Sequence, residues 1–289
     1  PARPEAPPSL PSAPTQPPTI VGRAAELRAL LDGYEGAAKG SLAVIEGEPG
    51  AGKSRLVAEL LARVEAKGGR TLTARCYEGE QQLAYGPVSA LLRAAAPALA
   101  RADLAEHHLA EAARLAPELA RGQGAPAAAL DSPAAQTRFF EGVTAALLAA
   151  VAGAQPGLIV VDDCHWADSA SVELLAYLAR RLDQAPACLA LCWRTAELPA
   201  EHPLRRALGA ARREGRATFV QLEGLSEEAV ADLARARAPG LAPEVLRRLF
   251  RESEGLPLLV VEYLDAIERG DLDPSGATWT LPGGARDLL

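Results

Sequence analysis

The sequence has no methionine, few aromatic residues and almost no lysine. Aromatic residues make up 4% of the 289 positions, and 27 of the 30 basic side chains are arginine. No apolar run is as long as a membrane-spanning helix and no signal peptide opens the chain, so we expect neither membrane insertion nor secretion. The net charge of −7 argues against direct nucleic-acid binding by this chain, because phosphate contacts need a basic surface.

Cysteine is also scarce. The four cysteines do not form a disulfide framework, and most of them lie within apolar runs, where cysteine behaves as a small hydrophobic residue. Cys188 and Cys192 are four residues apart, but no second cysteine or histidine pair completes a zinc site. We therefore expect reduced, structural cysteines and a cytoplasmic location.

Proline dominates the start of the chain, with eight prolines in residues 1–19. Such a segment is extended and solvated, so we predict a linker over 1–19. Together with the missing initiator methionine, the linker favours a fragment that has a further domain upstream. The alternative is a disordered terminus.

Short apolar runs alternate with segments of helical spacing from residue 20 to residue 224. The predicted strands cover residues 42–45, 71–76, 158–161, 188–193 and 218–222. This alternation predicts an α/β fold, a parallel five-stranded sheet with helices on both faces. We expect the long helical region between the second and third strands to be broken at Pro97, Pro117 and Pro126.

The pattern becomes purely helical after the last strand. Residues 225–270 predict about three helices, which we interpret as a small all-helical lid domain. Residues 271–289 are interpreted as the start of a truncated next domain of winged-helix type.

One glycine-rich motif lies between a predicted strand and a predicted helix, and it fits G-x-x-x-x-G-K-[ST] in full. Its glycines let backbone N–H groups point inward, and the positive end of the following helix adds to their attraction for phosphate. Lys53 is predicted to reach the β- and γ-phosphates, and the Ser54 hydroxyl to bind Mg²⁺. The predicted phosphate-binding residues are Gly47, Glu48, Pro49, Gly50, Ala51, Gly52, Lys53, Ser54 and Arg55.

Polar residues also follow two later buried strands. Asp162 is predicted to hold Mg²⁺ with Ser54, and Asp163 to orient or deprotonate an attacking water. Arg194 ends the next strand, where it would face the γ-phosphate if that strand lies between the other two. The predicted catalytic set is Lys53, Asp163 and Arg194. The alternative for Arg194 is an ordinary surface arginine.

Taken together, these motifs resemble those of the STAND-type signalling ATPases, relatives of the AAA+ proteins. They are similar in particular to the ATPase modules of large bacterial transcriptional regulators of the MalT and SARP/BTAD kinds. The resemblance runs from residue 20 to the end of the chain. It is carried by residues 20–23 with Glu26, 47–54, 138–141, 160–168, 194–197, 222–226 and 255–257.

The resemblance implies roles for residues outside the phosphate motif. Val21, Gly22 and Arg23 would line the adenine side of an ATP or ADP pocket. Pro257, in the lid, would pack against the adenine from the opposite side and tie the lid position to the bound nucleotide. The family's upstream DNA-binding domain, downstream sensor domain and ATP-dependent homo-oligomer are expected partners of this module.

Two features leave the site less defined. His165 and Trp166 match the family, and either core packing or catalysis accounts for them. The family usually has a small polar residue before the arginine that ends the fourth strand, whereas Cys192 and Trp193 precede Arg194 here. We expect the bulk of Trp193 to affect how Arg194 faces the phosphate.

Three functions remain open at this point. The first is an ATP/ADP-binding switch of a multidomain regulator, with slow Mg²⁺-dependent hydrolysis as its reset. The second is a continuously cycling AAA+ motor that uses an arginine finger from among Arg212, Arg213 and Arg216, residues that otherwise form a solvated helix face. The third is a scaffold whose phosphate motif no longer binds nucleotide.

Overall fold

A computed structural model describes residues 20–120, 129–198, 201–276 and 278–280 of the chain. The predicted linker over 1–19, residues 281–289 of the predicted next domain and Pro126 lie outside the described residues. The boundaries proposed from the sequence between linker, core, lid and next domain therefore stay predictions.

A parallel five-stranded sheet with strand order β2-β3-β4-β1-β5 forms the centre of the structure, which confirms the predicted fold class. Because β4 lies between β1 and β3, the carboxyl ends of these three strands meet at one edge. That edge carries the phosphate motif, Arg194 and the two aspartates. The strands are β1 (Ser41–Gly47), β2 (Thr71–Arg75), β3 (Gly157–Asp162), β4 (Ala187–Trp193) and β5 (Ala217–Leu222).

Helices cover both faces of the sheet, because alternate residues of the buried strands point to opposite sides. Ile45 and Cys192 belong to the cluster under α1 and α2, whereas Val44 and Trp193 belong to the cluster under the other helices. The core helices are α1 (Ala24–Glu35), α2 (Lys53–Ala66), α3 (Gly86–Leu99), α4 (Glu106–Ala112), α5 (Pro133–Val151), α6 (Ser169–Arg181) and α7 (Pro203–Arg213).

Local sequence signals set several helix ends. Ser132 caps α5 by accepting a hydrogen bond from the Ala135 amide at 3.2 Å. Pro117 begins a short 3₁₀ turn between α4 and α5. The expected break at Pro97 is wrong: Pro97 lies inside α3, near its end. Both Pro97 and Arg93, whose carbonyl loses its helical donor, are exposed, so water can satisfy that carbonyl.

A helical lid follows the sheet, as predicted, and has its own hydrophobic cluster. It consists of α8 (Glu227–Arg237), α9 (Pro243–Ser253) and α10 (Pro257–Arg269). Leu272 and Trp279 also belong to this cluster, and the Trp279 ring lies 5.3 Å from that of Tyr263. The packing of the lid therefore continues past residue 270.

All four cysteines are free and buried in the core, as expected for structural cysteines. Among the described residues, no helix has both the length and the apolar character that crossing a bilayer requires.

One hydrogen bond from a tyrosine hydroxyl links α1 to the loop that precedes β3. Tyr34 is 2% exposed, and its Oη donates to the Pro156 carbonyl at 2.7 Å. We expect Tyr34→Phe to lower the free energy of unfolding by about 1–2 kcal/mol, because it removes the donor of a partly buried hydrogen bond. Tyr77→Phe is the matched control, since Tyr77 is 53% exposed, and it should cost less than about 0.5 kcal/mol. Urea unfolding measures both, and equal effects would contradict this assignment.

Candidate nucleotide site

The phosphate motif forms a tight loop between β1 and the start of α2. Gly50 and Gly52 have φ angles of 75° and 93°, in the left-handed region that favours glycine. A Cβ atom at Gly50 would lie 2.8 Å from the Cβ atom of Leu258 in the lid. Glycine is thus required here both for the turn and for the close approach of the lid.

The side chain of Lys53 lies back along this loop. Its Nζ donates to the Gly47 carbonyl at 2.7 Å and to the Glu48 carbonyl at 3.1 Å. Burial lowers the pKa of Lys53, and the nearby charge of Asp163 partly opposes that shift. A buried ammonium group held only by neutral carbonyls gains from an anionic partner such as a phosphate oxygen.

Ser54 and Asp162 meet where the loop faces the end of β3. Ser54 Oγ donates to Asp162 Oδ2 at 3.0 Å. Two neighbouring ligands of an octahedral Mg²⁺ ion, each about 2.1 Å from the metal, are about 3.0 Å apart. Both oxygens are ligands that Mg²⁺ prefers, so this pair fits the ion.

Asp163 has a cationic partner that the sequence did not indicate. The side chain of Asp163 is buried. The backbone φ angle of this residue is 55°, in the left-handed region. Arg75, the last residue of β2, places Nε 2.9 Å and Nη2 2.8 Å from Asp163 Oδ2. The pair forms because Arg75 lies beside Asp162 in the register of β2 and β3. One carboxylate oxygen of Asp163 is thus held by a guanidinium group.

Arg194 directly follows β4 at the same edge of the sheet, and two neighbouring side chains hold it. Its Nη1 lies 2.9 Å from Glu197 Oε1, and its guanidinium carbon lies 4.9 Å from the centre of the Trp166 ring. Trp193 is fully buried in the core cluster on one face of the sheet, under the guanidinium group of Arg205. The immediate restraints on Arg194 are therefore Glu197 and Trp166.

A cavity of about 670 Å³ lies between the core and the lid, within the size range of small-molecule sites. Its wall includes the phosphate loop together with Arg75, Asp163 and Arg194. Apolar side chains, which suit a base, also line it; they are Ile20, Val21, Leu225, Leu233, Pro257 and Val261.

The structure brings most, but not all, of the predicted site residues to this cavity. Gly47, Glu48, Gly22 and Asp162 are not on its wall. The predicted residues that line it are Val21, Arg23, Pro49, Gly50, Ala51, Gly52, Lys53, Ser54, Arg55, Asp163, Arg194 and Pro257.

Two of the expected adenine-side residues have other contacts. A Cβ atom at Gly22 would lie 2.5 Å from that of Ala229, so Gly22 allows α8 to approach closely. Arg23 is buried and donates to the Ala51 carbonyl at 3.2 Å and to the Glu223 carbonyl. Arg23 therefore links the phosphate loop to the segment that enters the lid.

The lid also contacts the phosphate loop directly. The backbone N–H of Leu258, in the first turn of α10, donates to the Gly50 carbonyl at 3.2 Å. Pro257 precedes it and lines the cavity. The first turn of α10 is thus hydrogen-bonded to the phosphate loop at Gly50.

The fold and this loop define a P-loop nucleotide-binding protein. Residues 19–193, more than half of the chain, match the family of AAA ATPase domains. The chain belongs to this family.

One curated protein is similar to most of the chain. An uncharacterized protein of Rhizobium meliloti (strain 1021) is 27% identical over 272 residues, which cover 86% of this chain and 25% of that protein. The chain thus spans a quarter of the length of this curated relative.

Two solved structures have TM-scores above 0.5 with the chain and show its fold. The ORC1 protein of Aeropyrum pernix, solved in complex with DNA, has a TM-score of 0.52 and 18% identity, over 95% of this chain and 67% of that one. AMPPCP-bound DnaA of Aquifex aeolicus has a TM-score of 0.52 and 12% identity, over 89% of this chain and 65% of that one. A STAND protein of Pyrococcus horikoshii with a tetratricopeptide repeat sensor has a TM-score of 0.47 and 19% identity, over 93% of this chain and 35% of that one.

The buried position of Lys53 yields a test of the site. We expect Lys53→Ala to weaken ATP and ADP binding by at least about 100-fold, because charge-assisted hydrogen bonds to phosphate are lost. Lys39→Ala is the matched control, since Lys39 is exposed and is not on the cavity wall. Calorimetric titration with each nucleotide measures the change. Equal affinities for Lys53→Ala and the parent would favour the scaffold.

Proposed function

We propose that the chain is an adenine-nucleotide switch in which ATP or ADP, bound with Mg²⁺, sets the position of the lid. Slow hydrolysis of ATP returns the switch to its ADP form. The observation that carries this proposal is the direct contact of the lid with the phosphate loop, from the Leu258 amide to the Gly50 carbonyl.

The triphosphate of the nucleotide would lie along the loop, and the base would contact the apolar side chains of the cavity wall. The N–H groups at the start of α2 and the ammonium group of Lys53 would hold the β- and γ-phosphates. Ser54 and Asp162 would hold Mg²⁺, which supplies positive charge to the phosphate oxygens when it is bound. Arg194 would turn from Glu197 to the γ-phosphate.

The pairing of Asp163 with Arg75 supports slow turnover. In hydrolysis the water oxygen bonds to the γ-phosphorus, the bond to the bridging oxygen breaks, and Asp163 orients the water or takes its proton. Since Arg75 holds one oxygen of this carboxylate, Asp163 is a restrained base. We infer that the chemical step is slow unless this ion pair rearranges.

The lid would report the nucleotide through three connections. Leu258 contacts Gly50, Arg23 joins Ala51 to Glu223, and the Leu225 amide donates to the Gly255 carbonyl at 2.7 Å. A loop that adjusts to a γ-phosphate moves all three together. Such a packed junction favours two discrete arrangements over a continuous range.

The wider context of the switch is also part of the proposal. We place the module in a multidomain transcription regulator of the STAND type, with a DNA-binding domain before it, a sensor domain after it and ATP-dependent self-association. The fact that the chain spans a quarter of its curated relative fits a larger architecture. With a net charge of −7, the module itself would leave DNA to another domain.

Contacts of two of the three candidate finger arginines favour the switch over the motor. Arg212 lies 4.6 Å from the centre of the Phe219 ring, and the guanidinium group of Arg216 pairs with Glu214. Both are thus engaged within their own chain.

Steady-state turnover distinguishes the two functions. The switch predicts fewer than about 0.01 turnovers per second with Mg-ATP alone, in the range of switches that hydrolyse without a helper protein. It also predicts that the purified protein carries ADP. Turnover of about 1 per second or faster, without any inducing signal, would establish the motor instead. Phosphate release and the nucleotide content of the purified protein are the measurements.

The proposed role of Asp163 gives a second test. We expect Asp163→Asn to retain ATP binding within a few-fold but to slow hydrolysis by at least about 100-fold, because the amide cannot accept the proton. The control is Asp183→Asn, since Asp183 is exposed and is not on the cavity wall. Single-turnover hydrolysis measures the effect. A variant that hydrolyses at the parent rate would remove Asp163 from the chemical step.

A further inference from the structure

A buried histidine lies behind Arg194, in a group of four side chains that we call the Glu197 cluster. Its members are His165, Trp166, Arg194 and Glu197. His165 and Trp166 stem from the 3₁₀ turn Cys164–Trp166 after β3, and Glu197 from the 3₁₀ turn Thr195–Glu197 after β4. Because β3 and β4 are neighbours, the two turns meet at the edge of the sheet that carries the phosphate loop.

Glu197 lies between two possible cationic partners. Its Oε1 is 2.9 Å from Arg194 Nη1, and its Oε2 is 3.3 Å from His165 Nε2. Arg194 holds this carboxylate in the present structure. The contact with His165 is within ion-pair range, but it is not aligned as a hydrogen bond.

His165 is a titratable group to which the proposed hydrolysis gives no role. Its side chain is fully buried, and neither ring nitrogen has a hydrogen-bond partner among the described residues. The imidazole instead contacts the Trp166 ring, with the ring centres 4.6 Å apart. A buried polar group without a partner is costly, so a conformation that gives His165 a partner gains stability from it.

We propose that His165 is the second partner of Glu197. When Arg194 turns to the γ-phosphate of bound ATP, the released carboxylate pairs with a protonated His165, so that ATP binding takes up a proton from the solvent and ADP binding does not. This inference rests on the proposed function, because it requires Arg194 to distinguish ATP from ADP. His165 acts through Glu197 and Arg194, so it is a positioning residue.

The charges around His165 determine the sign of the effect. Burial lowers the pKa of His165 below its ordinary value; Glu197 and Asp163 oppose that shift, whereas Arg194 and Lys53 add to it. These groups face His165 from the turn after β4, the end of β3, the end of β4 and α2. Movement of Arg194 to the phosphate removes one of the cations and frees Glu197, and the γ-phosphate adds negative charge. All three changes raise the pKa of His165.

The pH dependence follows from this upward change. The extra affinity for ATP is fully present below the pKa that His165 has with ADP, and it is lost as the pH rises through the higher pKa that it has with ATP. Each unit of difference between these two pKa values corresponds to about tenfold in ATP affinity. Affinity for ADP lacks this component.

Calorimetry in buffers of different ionisation enthalpy counts the protons taken up on binding. We would titrate the protein near pH 6.5, about the ordinary pKa of histidine, with ADP and with an ATP analogue that carries a methylene group between the β- and γ-phosphorus atoms. The parent should take up more protons with the analogue than with ADP. His165→Gln and Glu197→Gln should lose this excess, whereas His107→Gln, at an exposed position on α4, should keep it.

Every outcome of these titrations either supports or overturns the proposed role of His165. An excess that persists unchanged in His165→Gln would come from the nucleotide and would overturn the proposal, as would equal uptake for both nucleotides in the parent. If the parent binds neither nucleotide, the proposed function fails and this inference falls with it. If it binds both without an excess, only this inference fails.

A measurement on the parent avoids any folding defect of the variants. The chain has four histidines, so imidazole proton resonances can be followed by NMR across a pH titration. The pKa of His165 should be higher with the ATP analogue than with ADP. Equal pKa values for His165 in the two complexes would contradict the proposal.

Discussion

Four carbonyl groups of the phosphate loop accept hydrogen bonds from side chains or from the lid, and the rest of the site depends on these contacts. Lys53 holds the carbonyls of Gly47 and Glu48, the amide of Leu258 holds that of Gly50, and Arg23 holds that of Ala51. With these acceptors taken by the protein, the loop is fixed in a shape that turns the N–H groups at the start of α2 towards the cavity. The contacts of Leu258 and Arg23 also attach the lid to the loop. In the proposed switch, phosphate binding and the position of the lid are therefore coupled.

A second consequence concerns charge. The cations at the site are paired or buried before any phosphate contacts them: Arg194 with Glu197, Arg75 with Asp163, and Lys53 with carbonyls. In the proposed switch, nucleotide binding would exchange partners among these groups, and the move of Arg194 to the γ-phosphate would release the Glu197 carboxylate. This property suits a switch, in which states differ by which pairs are made, better than an open site made for rapid turnover.

The local parts of the site could be predicted from the sequence, and the long-range pairs could not. The strand, loop and helix around Lys53 follow from glycine spacing and apolar periodicity, and the aspartates follow from a buried strand. The pairing of Arg75 with Asp163 requires β2 to lie beside β3, which is a matter of strand order and not of local pattern. The anchoring role of Arg23 and the contact of Leu258 with Gly50 likewise depend on how the lid is placed. The resemblance placed residues 21–23 at the adenine, and only Val21 and Arg23 reach the cavity wall.

The central claim is that the bound nucleotide controls the contact between the lid and the phosphate loop. Hydrogen exchange at the backbone amide of Leu258, which donates to the Gly50 carbonyl, reports that contact most directly. If ADP holds the lid on the loop and ATP releases it, this amide exchanges more slowly in the ADP complex than in the complex with a non-hydrolysable ATP analogue. Equal protection of the Leu258 amide in the two complexes would contradict the account.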